Sequence, residues 1–297
     1  MQTSDILPNG FLWNEAELEA GHPLNDGLAS LALIGDDLSI TLIGTAFIVS
    51  SEKTSCFAVS AAHCFEDIRD RLHPNKHHHP STPREFLPAP SDVELKHVKA
   101  IYMKDSAAYF CDLGVAIWDV GTDLAVFRIH APPETPDLFD TFFWLSDDIP
   151  AVGDPIVFIG FGEMQVTSDQ ETLHSGQIAR RLVMRVGLVE AVFPDGYYML
   201  KGPCIETSVS IYSGMSGGAV ARWRRDGNIE PFAFISHAPE PQPLLERDKS
   251  GHAMGSIINA ILKMVGEKKQ AVGLRINHAG VGRNSQFAAD FPFFPDN

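Results

Sequence analysis

The sequence predicts an all-β protein built as two closed sheets, on three observations. Short apolar runs punctuated by Gly, Pro, Asn and Asp recur through both halves of the chain. A proline-rich break, Ala131 to Pro136, separates the two sets of runs, because its prolines remove amide donors and restrict their neighbours. Helical periodicity is convincing in one late segment only, and 297 residues suffice for two cores of ordinary size.

In chain order, Leu31–Ile34 and Ser39–Ile43 flank the turn formers Gly35-Asp36-Asp37 and read as a hairpin. Thr45–Val49 and Cys56–Val59 supply two further strands, and Ala61–Asp70 a short helical turn. Residues 71–91 read as loop, Val93–Met103 and Leu124–Ile129 as strands. After the proline break come Pro155–Ile159, closed by Gly160-Phe161-Gly162, then Gln177–Val186, Leu188–Val192, Ile205–Val209, Ala219–Trp223 and Pro231–Ser236. In Ile257–Val265 the apolar positions 257, 258, 261, 262 and 265 share one face, with Lys263, Lys268 and Lys269 near the end, where cations suit a helix C-terminus. That segment reads as a packing helix. Phe287, Phe291, Phe293 and Phe294 are expected to fasten the tail to the body.

Composition narrows the partners. The chain is 44% apolar and 21% charged, with 23 Lys plus Arg against 38 Asp plus Glu, for a formal charge of -15. A chain so acidic is a poor binder of nucleic acid or of an anionic membrane through its general field. Residues 1–26 lack the basic start and apolar middle of a signal peptide, so a cytoplasmic location is expected, although a secreted chain whose leader is gone would look the same. The cysteines at 56, 64, 111 and 204 are too scattered for a disulfide framework and read as buried thiols. His73 and His77-His78-His79 lie in a long loop without fixed spacing, so a solvated insertion is favoured over a metal clamp; no metal and no cofactor is expected.

Three segments carry chemistry, in the order His, Asp, Ser. Val59-Ser60-Ala61-Ala62-His63-Cys64 puts a histidine at the end of an apolar run, and Thr122-Asp123-Leu124-Ala125-Val126 puts an aspartate at the mouth of another. Tyr212-Ser213-Gly214-Met215-Ser216-Gly217-Gly218 sets a serine among glycines before an apolar strand. A serine hydroxyl needs a base within hydrogen-bond reach, histidine titrates near neutrality, and a carboxylate fixes its tautomer. Taken singly, His63 is equally a partly buried histidine, Asp123 a strand-end turn residue and Ser216 the end of a hairpin; their combination favours catalysis. Gly214 to Gly218 also satisfies G-x-S-x-G, but no helix pattern follows it, and Asp248 and His252 lie in a charged loop, so a nucleophile elbow is disfavoured.

These segments resemble the chymotrypsin-like (trypsin-like) serine peptidases. Ser60-Ala-Ala-His63-Cys64, Thr122-Asp123-Leu124-Ala125-Val126 and Gly214-Met-Ser216-Gly-Gly-Ala219 look like that family's three catalytic boxes, and Gly44-Thr-Ala-Phe-Ile-Val49 its strand before the histidine. The resemblance spans about residues 28–266 and implies two six-stranded antiparallel β-barrels with a C-terminal helix. The implied units are an N-terminal extension 1–27, a first barrel 28–130, a linker 131–150, a second barrel 151–254, a terminal strand and packing helix 255–270, and a tail 271–297.

By position, His63 would be general base, Asp123 its orienting carboxylate and Ser216 the nucleophile, with the amides of Gly214 and Ser216 as oxyanion hole. Ser210, Ser236, His237 and Ala238 would line the substrate site, and the partner would be a protein or peptide. Gly255-Ser-Ile-Ile-Asn259 looks closer to bacterial glutamyl-endopeptidase-type and high-temperature-requirement-type domains than to digestive enzymes. Met215 stands where activated digestive enzymes carry an aspartate that pairs with a new N-terminus, so the oxyanion loop must be held by other contacts. Ile43 occupies about the place of the usual disulfide partner of Cys64, which fits a reducing compartment. A catalytically idle, peptide-binding or regulatory relative is the alternative reading.

Overall fold

The computed structural model describes residues 14–19, 21–37, 39–72, 95–105, 107–135, 137–146, 148–168, 176–197, 200–223, 229–236 and 253–257. The chain opens with β1 (Asn14–Leu18), followed by a 3-10 turn at Pro23–Gly27. Then come β2 (Leu28–Ile34), β3 (Ile40–Ser51), β4 (Ser55–Ala61), the helix α1 (Ala62–Leu72), β5 (Val98–Lys104), β6 (Ala107–Asp119) and β7 (Leu124–His130).

These six strands, β2 to β7, close into an antiparallel barrel in the order β2-β3-β4-β7-β6-β5. Fully buried side chains from both faces of its strands and from α1, among them Leu28, Leu31, Phe47, Phe65, Tyr102 and Phe127, belong to one apolar cluster. Closure removes free edges, and the alternating side chains of each strand supply a continuous core. Phe65 of α1 stacks on Trp118 of β6 at 5.3 Å between centroids and meets Phe127 of β7 edge-on at 5.2 Å, so the helix is pinned over the barrel end that holds His63.

Two differences from the sequence reading have physical causes. The runs Ser39–Ile43 and Thr45–Val49 are one strand, β3, because a register shift opposite Leu31 and Ala32 absorbs the irregularity at Gly44. Strand β6 was not expected; Asp112 and Gly114 interrupt its apolar pattern, and its ladder with β7 shifts register between Leu113 and Ala116.

The second half comprises β8 (Pro155–Ser168), β9 (Gly176–Phe193), β10 (Cys204–Thr207), β11 (Ala219–Trp223), β12 (Ile229–Ile235) and β13 (Ala253–Ile257). Gly160 and Gly162 lie inside β8 rather than ending it, and Leu188–Val192 continues the strand begun at Gln177.

The expectation of two six-stranded barrels is corrected by the topology. Among the described residues there is one closed six-stranded barrel; the other strands form a seven-stranded sheet, β1-β9-β10-β13-β12-β11-β8, in which β9 also pairs β8. The seventh strand, β1, comes from residues assigned to an N-terminal extension. Its sequence, Asn-Glu-Ala-Glu-Leu, reads as polar and acidic, and only its partner reveals why it is a strand. It pairs antiparallel with Leu182–Val186 of β9, where Arg181 and Arg185 meet Glu15 and Glu17. The expected C-terminal helix lies, beyond Ile257, outside the described residues, and Ala253–Ile257 is strand. The tail phenylalanines and the loop of His73 and His77 to His79 also lie outside them.

Residues 131–150 contain no strand among those described. They nevertheless contribute to the core: Phe139 packs edge-on to Tyr102 at 5.0 Å and Phe143 edge-on to Phe47 at 6.2 Å.

Candidate active site

His63 is the second residue of α1, placed where β4 gives way to the helix. Asp123 directly precedes β7, the neighbour of β4 in the barrel, and has φ of 55°. Left-handed backbone is tolerated by aspartate better than by most residues. Here it is fixed by the Asp123 carbonyl accepting from Ala62 N at 2.7 Å and by Asp123 N donating to Val120 O at 3.3 Å. The same turn aims the carboxylate at α1.

Asp123 Oδ1 accepts from His63 N at 2.9 Å, and Oδ2 lies 2.9 Å from His63 Nδ1. The carboxylate thus sets both the backbone and the ring of His63, and occupancy of Nδ1 leaves Nε2 for chemistry. Ser236, at the end of β12, is fully buried and donates its hydroxyl to Asp123 Oδ2. Burial pushes the Asp123 carboxyl up, but the His63 charge, its ring and backbone N–H groups and the Ser236 hydroxyl outweigh it and hold the pKa below the ordinary value. Burial pulls His63 down, but the adjoining Cys64 sulfur and the Asp123 carboxylate, with the hydrogen bonds they make, outweigh it and raise the pKa well above the usual value. The imidazole keeps 28% of its side chain exposed, so its outer edge is open to solvent and to a substrate.

Ser216 lies in the turn between the loop at Ser208–Met215 and β11. A strand follows it, not a helix, which removes the nucleophile-elbow alternative. Four consecutive carbonyls in this turn are held. Ser213 O accepts from Glu163 N at 3.2 Å, Gly214 O from Thr45 Oγ1 at 2.8 Å, Met215 O from Gly218 N at 2.9 Å and Ser216 O from Thr45 N at 2.8 Å. In a trans peptide the following N–H points the opposite way. The amides of Gly214 and Ser216 are thereby turned from these anchors, and neither donates to a protein acceptor among the described residues. Unpaired backbone N–H groups are the kind of donor that stabilisation of a developing negative charge requires.

Glycine is required at two of these positions. Gly214 has φ of 95°, and a Cβ there would sit 2.9 Å from Phe161 O. Gly217 has φ of 82°, and a Cβ would fall 2.0 Å from Ser60 Oγ and 2.3 Å from Thr45 O. The barrel and the sheet therefore meet through glycine backbone at the serine turn.

The structure brings His63, Asp123, Gly214 and Ser216 to this junction together with Ser236. Ser236 also contacts the acid and the serine: its hydroxyl donates to Asp123, while its carbonyl accepts from Ser216 Oγ at 3.5 Å. Among the described residues no hydrogen bond joins Ser216 to the His63 ring; the hydroxyl is turned to the Ser236 carbonyl. Ser210 is buried and accepts from Arg185 Nη1 at 2.8 Å. His237 and Ala238 lie outside the described residues.

Two parts of the site escape sequence reading. Thr45 holds the serine turn through both amide and hydroxyl, although its segment was noted as strand. Arg185 sits 1% exposed behind the turn, its only sequence signal being a charge within an apolar strand. The cysteines are all free and buried. The side chain of Cys64 faces Gly44 rather than Ile43: a Cβ on Gly44 would lie 2.6 Å from the sulfur. Met215 is fully buried in the apolar cluster of Ile156, Phe158, Val189 and Phe232, a place where a carboxylate would be costly.

The family model for the trypsin-like peptidase domain matches residues 44–229, which contain His63, Asp123 and Ser216. No curated protein matches the chain. Among solved structures, the active form of the Rv3671c protease from M. tuberculosis is 9% identical, with 82% of this chain and 81% of that chain covered and a TM-score of 0.46. The inactive form of the same protease is 10% identical, with 82% and 89% covered and a TM-score of 0.44. Its serine-to-alanine mutant, also in the inactive form, is 12% identical, with 87% and 98% covered and a TM-score of 0.44.

Proposed function

The chain belongs to the trypsin-like peptidase family, and on that premise we propose that it is a serine endopeptidase acting through His63, Asp123 and Ser216. The observation that carries this reading is the pairing of His63 Nδ1 with Asp123 Oδ2 at 2.9 Å beside a serine turn whose Gly214 and Ser216 amides are unpaired. Ser216 Oγ attacks the peptide carbonyl while His63 Nε2 takes its proton. The tetrahedral oxyanion is held by the amides of Gly214 and Ser216, each such donor being worth about 3 kcal/mol in the transition state. His63 then gives the proton to the leaving amine, and water, deprotonated by the same imidazole, releases the acyl group.

Protein or peptide is the substrate class that goes with this family. The barrel unit 28–130 supplies His63 and Asp123, and the unit 151–254 supplies Ser216. Kinship with the bacterial glutamyl-endopeptidase-type and high-temperature-requirement-type domains is proposed on the sequence Gly255-Ser-Ile-Ile-Asn259, whose first three residues end β13. Four buried free thiols support a reducing, cytoplasmic setting. No helix among the described residues is long and apolar enough to cross a membrane.

One observation favours a second reading, an idle relative that binds peptides: the Ser216 hydroxyl is turned to the Ser236 carbonyl and not to His63. Rotation about the Cα–Cβ bond of Ser216 re-aims its hydroxyl, and catalytic hydrogen bonds often tighten only with substrate. A fluorophosphonate probe decides between them. Labelling of the intact chain that disappears in Ser216→Ala supports the peptidase; a folded chain that stays unlabelled supports the idle relative.

A further inference from the structure

We infer that Arg185, held by Glu15 of the N-terminal strand, is the positioning residue that keeps the serine turn in its catalytic shape. This deepens the peptidase reading and rests on it. Glu15 and Arg185 are direct cross-strand partners in the β1–β9 ladder. Glu15 Oε2 accepts from Arg185 Nε at 2.7 Å and lies 2.6 Å from Nη2. The third nitrogen, Nη1, donates to Ser210 O at 2.5 Å and Ser210 Oγ at 2.8 Å. The guanidinium carbon stands 3.7 Å from the centroid of the Tyr212 ring.

Arg185 thus grips both ends of Ser210–Tyr212, the segment that leads into the serine turn. Tyr212 carries the hold onward: its carbonyl accepts from Met215 N at 3.2 Å, and its own amide meets Met215 Sδ at 3.5 Å. The planar fork suits this task, because it serves an acid, a carbonyl and an aromatic face at once, which a lysine ammonium cannot. Arg185 is buried, so its charge is tolerable only with a partner, and the partner comes from the first described strand of the chain. Met215 offers no charge to hold the turn; Arg185 and Glu15 supply one from behind it. Docking of β1 and competence of the oxyanion amides are therefore one event, with no cleavage of the chain required.

Full-length Glu15→Gln, Arg185→Lys and, as control, Glu17→Gln test this. Glu17 sits on the same strand and pairs with Arg181 at 2.9 Å, a residue that also meets Glu15 and Glu163, so it tests the charge of the strand apart from the Arg185 fork. Amide hydrogen exchange over 210–217 is expected to quicken about tenfold or more in Glu15→Gln and Arg185→Lys, with β4 and β7 unchanged, as local opening becomes easier. In the same variants kcat on a peptide ester is expected to fall about tenfold to a hundredfold while KM moves less than about threefold, since the oxyanion donors act on the transition state. Glu17→Gln is expected to leave both readouts at wild-type values. Unchanged exchange over 210–217 overturns the inference whether or not the chain is active, as does an equal effect of Glu17→Gln. Quickened exchange with no loss of kcat overturns the positioning role, and a wild-type chain inert to fluorophosphonate overturns the peptidase reading instead.

Discussion

The hydroxyl of Thr45 donates to the carbonyl of Gly214 at 2.8 Å, across 169 residues of sequence, and accepts from Phe161 N at 3.0 Å. One fully buried side chain of the barrel therefore fixes the peptide on the C-terminal side of Gly214 and ties it to β8.

Thr45→Val keeps the shape and removes the hydroxyl, leaving a buried carbonyl and a buried amide unsatisfied. Each costs about 1–3 kcal/mol. A lower midpoint in urea with unchanged slope is expected, together with a fall in kcat of roughly tenfold or more.

Gly217→Ala forces a methyl group into Ser60 Oγ and Thr45 O on a left-handed backbone. The loss is expected to reach about 3–5 kcal/mol, among the largest for a single substitution. Denaturant unfolding reads it directly, and Gly153→Ala, also left-handed but in open space, is the comparison that isolates the clash from backbone strain alone.

The raised pKa of His63 places the acidic limb of the rate profile above the ordinary histidine value of about 6.5, because the base works only when neutral. Asp123→Asn removes one cause of that shift and also the correct tautomer. The limb is expected to move to lower pH, with kcat reduced about 10⁴-fold. The same raised pKa makes His63 stabilising at pH values below about 6.5, a contribution lost as pH rises through its folded value.

Ser236→Ala removes a donor to a buried carboxylate, a bond worth about 1.5–3 kcal/mol. The Asp123 pKa is lowered in the fold, so its stabilisation is present above about pH 3.9 and disappears as pH falls through the folded value. The difference in stability between wild type and Ser236→Ala is expected to be largest near neutrality and to shrink on acidification, as thermal midpoints across pH will show.

Burial holds the thiol of Cys56 well above its usual pKa, pushes Cys111 up to about 12 and Cys204 up to about 11. These thiols are expected to react with a thiol-specific reagent only after denaturant is added, as a timed thiol titration measures.

Much of the candidate site was legible because it is local. His63, Asp123 and Ser216 each sit at a boundary between an apolar run and a turn, and such boundaries are written in adjacent residues. What escaped depends on distant partners. Nothing within Asn14–Leu18 announces a strand, since the basic residues that make its glutamates welcome lie on β9. The bond of Ser236 to Asp123 escaped because the two stand 113 residues apart. Thr45 looked like an ordinary β-branched strand residue, which it also is. The count of strands in the second half failed for the same reason as β1: sheet membership is decided by pairing, not by pattern.

The left-handed backbone of Asp123 carries a last implication, for ancestry. Asparagine accepts that conformation about as readily as aspartate and is nearly the same size. A duplicate of this gene could exchange that one acid for its amide, keep every strand in place and lose turnover. On the peptidase reading, silent siblings of this chain, intact in shape and differing at a single atom of consequence, lie one substitution away.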